Sequence, residues 1–264
     1  LLDDDVAEFL GAGETPECLH RNLESAGFVH RRQVEHAGGN LHILALQRGD
    51  HVLCGEIERL QPVRIEPNLH RVVARIQDPA EAGPQDVVLL TTKAHQVRDL
   101  LPGLRELFGP DTMVVTMING VPWWYFQRLG GPFDGRALAS VDPDGALAAG
   151  IEVERLIGSI VYPAAELVEP GVVRLIEGNR FTLGELDGQR SPRIEALSKS
   201  MMAAGFKAPV SRDIRSEIWV KLWGNLSFNP ISALTHATLE EICRFPPSRD
   251  LAARMMSEAR SVGE

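Results

Sequence analysis

Three polar residues recur at intervals of four in an otherwise apolar segment near the end of the chain. Lys221, Asn225 and Asn229 all fall within the segment Ile218–Pro230. On an α-helix this spacing places the three side chains on one face, within about 80° of one another. Burying a lysine costs several kcal/mol unless it is paired or hydrogen-bonded, so the row indicates a polar cleft. The alternatives are that these side chains hydrogen-bond to a neighbouring helix, or that they form a stripe exposed to solvent.

The reduction of a ketone is chemistry that this row could perform. A nicotinamide carries the difficult step, the delivery of hydride to the carbonyl carbon, and negative charge then builds on the oxygen. An ammonium such as that of Lys221 can stabilise the charge and donate a proton, which typically contributes about 10²–10⁴-fold. Asparagine amides bind carbonyl, hydroxyl or carboxylate groups without adding charge. The row is therefore compatible with a ketone reductase.

Two further polar motifs follow apolar runs that are predicted to be strands. Lys93 and Gln96 come just after the run Val87–Thr91, and Asn119 comes just after Met113–Ile118. Ligands of open α/β sheets bind outside the carboxyl ends of the strands, so we expect Asn119 to lie near Lys93 and to share a cleft with it. The alternative for Lys93 is a solvated lysine at the start of a surface helix. The alternative for Asn119 is an ordinary Asn-Gly turn.

The first 210 residues alternate short apolar runs with helical stretches, which could position these motifs. Such alternation predicts an α/β fold, in which helices cover the faces of a parallel sheet. The pattern becomes helical from Asp213 to about Thr235, so we predict one domain over 1–210 and a helical domain over 211–264. The predicted strands are Leu41–Leu46, Val87–Thr91, Met113–Ile118, Leu156–Ala164, Val172–Glu177 and Phe181–Gly184, and further helices are predicted at Ala94–Phe108 and Arg193–Ala204.

A glycine-rich turn lies near the beginning of the sequence. Gly11 and Gly13 precede a helix-like stretch, and such a turn can place backbone N–H groups against a pyrophosphate. Pro16 occupies the position of the third glycine of the complete fingerprint, and the preceding run is acidic rather than β-branched. An ordinary turn is therefore an equal alternative.

The composition argues against several classes of protein. The chain has 264 residues and a formal net charge of −9, without the basic face of a nucleic-acid binder. Its three cysteines form no CxxC pair, which disfavours a disulfide framework or a zinc site and favours a reducing compartment. The apolar runs are too short to span a membrane, and the acidic first residues are unlike a signal peptide. We therefore expect a cytoplasmic protein with no metal and no membrane or nucleic-acid partner.

The sequence resembles the ketopantoate reductase (2-dehydropantoate 2-reductase) family from about residue 86 to residue 258. The matching segments include VVLLTTKAHQV, VVTMINGVPWW and, most distinctively, EIWVKLWGNLSFNP. The resemblance implies a Rossmann-like, mostly parallel sheet with a C-terminal helical domain. It also implies reduction of ketopantoate to pantoate with NADPH, on the route to pantothenate and coenzyme A.

The resemblance also implies roles for individual residues. Lys221 is expected to be the general acid, and Asn225 and Asn229 are expected to bind the substrate. Lys93 and Asn119 are expected to line the cleft shared by nicotinamide and substrate. The other residues expected to contact the cofactor are Gly11, Gly13, Arg48 and Ala165, together with Gln96, which is inferred from its position after a strand.

Two departures from the family pattern qualify this expectation. The segment 15–40, which includes Pro16, is unlike the family. The helical domain of the family continues for several more helices that supply a serine and a glutamate to the substrate. We therefore expect a truncated helical domain whose apolar surface a partner chain, as in a homodimer, could cover. The alternative functions are reduction of another 2-oxo acid and a catalytically inactive dinucleotide-binding protein.

Overall fold

The computed structural model describes residues 43–46, 52–54, 63–65, 69–71, 79–169 and 172–263. These residues form two compact units, a sheet unit that ends at Arg215 and a helical unit that begins at Ser216. Gly11, Gly13 and Arg48 lie outside the described residues. Among the described residues, none of the helices combines the length and apolar character needed to cross a bilayer.

The described strands are β1 (Ile43–Leu46), β2 (Val52–Cys54), β3 (Val63–Ile65), β4 (Leu69–Arg71), β5 (Gln85–Leu90), β6 (Phe108–Thr116), β7 (Leu156–Val161), β8 (Ala164–Glu169), β9 (Val172–Glu177) and β10 (Phe181–Gly184). Six of them form the main sheet of the sheet unit, in the order β10-β7-β6-β5-β1-β2. The central strands β5, β6 and β7 are parallel, whereas β1 is antiparallel to β5 and to β2, and β10 is antiparallel to β7.

Helices occur in both units. In the sheet unit they are α1 (Pro79–Ala82), α2 (Val97–Leu104), α3 (Ala146–Gly150) and α4 (Pro192–Ala203). Helix α5 (Ile214–Thr235) starts in the sheet unit and continues into the helical unit, which also contains α6 (Leu239–Arg244) and α7 (Pro246–Gly263).

The described sheet is mixed rather than mostly parallel, and the path of the chain after β7 explains part of the difference. The chain leaves the carboxyl end of β7, forms the separate hairpin β8–β9, and then re-enters the sheet from the same edge as β10. A strand that returns from the edge at which its neighbour ended must run antiparallel to it. The α/β class predicted from alternating strands and helices is confirmed.

Strand β5 is apolar along most of its length because both faces of the sheet are covered. Residues Val87–Leu90 are all buried, as expected for a central parallel strand. One face of the sheet packs against α4, whose Ile194, Leu197 and Met201 belong to the core of this unit. A second core lies within the helical unit, where Phe228, Ile231, Ile242, Cys243, Ala252 and Met256 pack together.

Two glycines on neighbouring strands make room for the first residue of α5. Gly158 of β7 and Gly184 of β10 are cross-strand partners. A Cβ atom on Gly158 would lie 2.9 Å from Cγ1 of Ile214, and one on Gly184 would lie 2.6 Å from its Cβ. Neither glycine could carry a larger side chain without displacing Ile214, which is fully buried. The sheet unit therefore contains a fitted recess for the start of α5.

Candidate active site

Strands β5 and β6 end side by side at the carboxyl edge of the sheet. Leu90 pairs with Thr116, and the N–H of Met117 donates to the carbonyl of Leu90 at 3.0 Å. Because these strands are parallel, the loops that follow them leave the sheet at the same edge. One loop contains Lys93, and the other contains Asn119, so the structure brings these two predicted site segments next to each other.

The loop after β5 is held by its own side chains. The backbone N–H of Lys93 donates to Oε1 of Gln96 at 3.0 Å, and the backbone N–H of Gln96 donates to the carbonyl of Lys93 at 2.9 Å. The side-chain oxygen of Gln96 therefore fixes the short 3₁₀ turn Ala94–Gln96. Lys93 itself is exposed, and Thr92 beside it is buried.

The loop after β6 contains a glycine in a conformation that suits few other residues. Gly120 has φ +92°, and no atom of the described part of the chain lies within 4 Å of the position that its Cβ would occupy. Asn119 next to it is exposed. The aromatic residues that follow mainly pack: Trp123 and Trp124 are buried, and the indole N–H of Trp124 donates to Oγ1 of Thr116 at 3.0 Å.

Ala165 lies in the hairpin that follows β7. It belongs to β8, is exposed, and pairs with Leu175 of β9. Since β7 is parallel to β6, this hairpin begins at the same edge of the sheet as the loops of Lys93 and Asn119. Three of the segments that were predicted to contact a cofactor, those of Lys93, Asn119 and Ala165, therefore begin at one edge of the sheet.

Helix α5 carries the predicted catalytic row. Nδ2 of Asn229 donates to Oδ1 of Asn225 at 3.4 Å, so these two amides lie on one face of the helix, one turn apart. Lys221 lies one turn before Asn225 and is half-buried. Burial lowers the pKa of Lys221 from its usual value of 10.5 to about 8, because a low-polarity environment disfavours the charged form.

A lysine with this pKa is suited to proton transfer near neutral pH. Most of the Lys221 side chains would be protonated at pH 7, yet they would release a proton far more readily than an ordinary lysine. The neighbouring amides of Asn225 and Asn229 offer both donors and acceptors without adding charge. The row can therefore bind a polar substrate and protonate it.

Sequence reasoning missed two residues close to these segments. Thr92 is buried, and its hydroxyl has no hydrogen-bond partner among the described residues. Arg215, in the first turn of α5, donates hydrogen bonds to three main-chain carbonyls. The sequence contains one local hint of its role. Arg215 is a cation in the first turn of a predicted helix, where acidic residues are favoured.

Comparison with known proteins identifies the family. The family model described as ketopantoate reductase PanE/ApbA matches residues 22–131, and the model of the C-terminal part of the same family matches residues 213–264. A 2-dehydropantoate 2-reductase of Mesorhizobium japonicum is 46% identical over 255 residues, which cover 96% of this chain and 74% of the relative. The chain belongs to the ketopantoate reductase family.

Solved structures of ketopantoate reductases have the same fold. A putative ketopantoate reductase of Ralstonia solanacearum superposes with a TM-score of 0.72 at 37% identity, covering 76% of this chain and 63% of that one. A 2-dehydropantoate 2-reductase of Geobacter metallireducens gives a TM-score of 0.61 at 26% identity, covering 89% and 65%. The chain thus spans slightly less than two thirds of the length of these two solved relatives.

Family membership confirms the resemblance, the Rossmann-like fold and the class of oxidoreductase that were predicted from the sequence. Ketopantoate reductases use a nicotinamide dinucleotide and act on a small 2-oxo acid. The individual site residues, from Lys221 and Asn225 to Lys93 and Asn119, stay predictions.

Proposed function

We propose that this chain reduces 2-dehydropantoate to pantoate with hydride from NADPH, and that Lys221 donates the proton. The observation that carries the proposal is the row of Lys221, Asn225 and Asn229 on α5, with the lysine half-buried and the two amides in contact. The 46% identity to the Mesorhizobium japonicum 2-dehydropantoate 2-reductase supports the choice of substrate.

The residues at the carboxyl edge of β5 and β6 fit a nicotinamide dinucleotide. The exposed ammonium of Lys93 suits a phosphate or a carboxylate, and the amide of Asn119 suits a carboxamide or the substrate. Among the described residues, the space beside Gly120 is open, which would let a ligand approach the main chain closely. The hydroxyl of Thr92, which has no partner in the same part of the chain, could hydrogen-bond in this region. The other residues proposed to hold the cofactor are Gly11, Gly13, Arg48, Gln96 and Ala165.

The chain's own residues would complete the reaction at the substrate's keto group. The bound nicotinamide supplies the hydride. Negative charge then gathers on the keto oxygen, where the ammonium of Lys221 stabilises it and transfers a proton to give the hydroxyl group. Asn225 and Asn229 orient the substrate by hydrogen bonds. The products are the hydroxy acid, the oxidised cofactor and a neutral lysine amine, which takes up a proton from water.

The direct test is oxidation of NADPH, followed by its absorbance in the near ultraviolet. We expect the highest kcat/KM with 2-dehydropantoate, and lower values with other 2-oxo acids such as pyruvate and with NADH in place of NADPH. A higher kcat/KM for another 2-oxo acid would reassign the substrate. A protein that bound NADPH and reduced no 2-oxo acid would instead be an inactive dinucleotide-binding protein.

The pH dependence of the reaction should report the titration of Lys221. Its pKa of about 8 means that the proton donor is present below that pH and is lost above it. We therefore expect kcat for reduction to be flat below about pH 7 and to fall about tenfold per pH unit above about pH 9. The measurement is kcat from about pH 6 to about pH 10, with deuterated NADPH to show that hydride transfer limits the rate. A flat profile over this range would contradict the assignment.

We also propose a metabolic route, a cellular compartment and an oligomeric state for the protein. Pantoate is consumed on the route to pantothenate and coenzyme A, and we place the protein in the cytoplasm as a homodimer. Support for the homodimer comes from large apolar side chains exposed on the helical unit, among them Leu234, Phe245 and Val262. Light scattering of the purified protein at several concentrations would decide between monomer and dimer.

A further inference from the structure

The guanidinium of Arg215 is bound by three main-chain carbonyls of the sheet unit. Its Nε donates to the carbonyl of Tyr125 at 2.7 Å, Nη1 donates to that of Leu186 at 2.6 Å, and Nη2 donates to that of Gln127 at 2.6 Å. The guanidinium carbon also lies 5.9 Å from the centre of the Tyr125 ring. Each nitrogen of the side chain thus has its own acceptor, and the group cannot turn without losing at least one of these hydrogen bonds.

These carbonyls belong to two segments that are distant from Arg215 in sequence. Tyr125 and Gln127 lie 90 and 88 residues before it, in the stretch that follows the Asn119 loop. Leu186, which is 29 residues before Arg215, comes just after β10. Arg215 therefore joins the first turn of α5 to the segment after β6 and to the end of β10.

Ile214 fixes the same turn by packing. Its side chain fills the recess at Gly158 and Gly184, and only 1% of its surface is exposed. The two residues that open α5 are thus held in different ways, Ile214 by close contact and Arg215 by directed hydrogen bonds. Packing alone would leave rotation about the contact possible, whereas three hydrogen bonds in the plane of a guanidinium restrict that rotation.

A positively charged side chain is electrostatically unfavourable at this position. A cation in the first turn of a helix opposes the helix dipole, and partial burial lowers the pKa of Arg215 because it disfavours the charged form. A lysine has a single side-chain nitrogen, so it could not match the planar guanidinium, which donates to all three carbonyls at once. The position therefore uses the one side chain that can reach all three acceptors together.

We propose that Arg215 is a positioning residue for Lys221, and that its three hydrogen bonds set the direction in which α5 begins. The proposal rests on the proposed function of Lys221. Helix α5 is continuous from Ile214 to Thr235, and Lys221 lies six residues, or about 9 Å, further along its axis than Arg215. A tilt of about 10° at the first turn would move Lys221 by about 1.5 Å, and a misplacement of about 1 Å can cost a hundredfold in rate.

The test is to replace Arg215 and to measure both the reaction and the state of Lys221. We expect Arg215→Met to lower kcat at least about tenfold while the Kd for NADPH changes less than about twofold. We also expect the pKa of Lys221 to rise from about 8 towards the ordinary lysine value, because a loosened helix exposes it to water. Arg215→Lys should give intermediate values of kcat and of this pKa.

The pKa of Lys221 can be measured without turnover. The sequence contains four lysines, Lys93, Lys199, Lys207 and Lys221, so an NMR titration of protein labelled at lysine Cε should resolve each of them. The variant Lys221→Arg assigns the signal. A residue that merely stabilised the fold would leave this pKa unchanged under conditions in which the variant stays folded.

Arg155 offers a matched control. Its Nη1 also donates to main-chain carbonyls, those of Gly109 at 2.7 Å and Thr112 at 3.4 Å, and its guanidinium lies 4.9 Å from the centre of the Phe108 ring. These contacts are at the amino ends of β6 and β7, the edge opposite the proposed site. Arg155→Met should therefore reduce stability while kcat and the pKa of Lys221 stay as in the unmodified protein.

Each outcome decides the proposal. If Arg215→Met folds, and its kcat and the pKa of its Lys221 match those of Arg155→Met, Arg215 has no positioning role. If Arg215→Met does not fold, Arg215→Lys is judged by the same two readouts. If the unmodified protein reduces no 2-oxo acid, the proposed function fails, and the NMR titration still decides whether Arg215 positions Lys221.

Discussion

Replacing Lys221 by alanine is expected to lower kcat for 2-dehydropantoate reduction at least about a hundredfold, since a positioned proton donor typically contributes 10²–10⁴-fold. The Kd for NADPH should change less than about twofold, because the residues proposed to hold the cofactor belong to other segments. The measurements are steady-state kcat and KM, and a fluorescence titration with NADPH. Added methylamine should restore part of the lost rate by supplying an ammonium group in solution.

Lys199 gives the matched control for this substitution. It is an exposed lysine on α4, so Lys199→Ala removes the same charge from a position outside the proposed site. We expect kcat and KM of Lys199→Ala to equal those of the unmodified protein. Turnover by Lys221→Ala that matched that of Lys199→Ala would remove Lys221 from its proposed role and would mean that another group donates the proton.

The elements predicted best are those with a strong local pattern. Helix α4 was predicted over Arg193–Ala204 and observed over Pro192–Ala203, where Oγ of Ser191 accepts from the N–H of Ile194 at the amino end. Capping serines and helical periodicity are properties of consecutive residues, so a sequence displays them directly. The helical prediction from Asp213 to Thr235 succeeded for the same reason.

Strand β6 shows what a local pattern misses. It was predicted from Met113, yet it begins at Phe108 and includes glycine, proline and aspartate. Pairing with a distant segment holds this polar beginning in place: Phe108 pairs with Gln85, and Oγ1 of Thr112 donates to the carbonyl of Gln85 at 2.5 Å. Gln85 lies 23 and 27 residues before these two partners, so the composition of the strand alone does not indicate the pairing.

The same distinction holds for the candidate site. The placement of Asn225 and Asn229 on one face follows from their spacing along the helix, so the sequence was sufficient to predict it, and the hydrogen bond between them agrees with it. The acceptors of Arg215 lie as far as 90 residues away, and only the fold reveals them. Gln96 was predicted to contact a cofactor, and its side-chain oxygen is bound within its own loop, a local hydrogen bond that position after a strand does not indicate.

The replacement Glu185→Ala is expected to lower the free energy of unfolding by about 3 kcal/mol. Glu185 follows β10 and is buried, with 5% of its surface exposed. Nε and Nη2 of Arg193 donate to its two carboxylate oxygens at 2.7 and 2.6 Å, and Oγ of Ser191 donates to Oε1 at 2.5 Å. Alanine would remove the acceptor of the Ser191 hydroxyl and of Nε and Nη2 of Arg193, whereas Nη1 of Arg193 would keep the carbonyl of Glu154. The estimate is at the lower end for a broken buried pair, because the side chain of Arg193 is 32% exposed and water can hydrate part of it.

Urea unfolding of Glu185→Ala and Glu195→Ala would separate burial from charge pairing. Glu195 lies on the same helix as Arg193, and it accepts from Nε of Arg190 at 2.6 Å in a pair that is largely exposed. Water screens an exposed pair, so Glu195→Ala should lower the free energy of unfolding by less than about a third of the amount lost in Glu185→Ala. Equal losses would mean that the buried carboxylate adds nothing beyond an ordinary surface charge. A large loss confined to Glu185→Ala would show that the junction of β10 and α4 depends on a carboxylate held out of water.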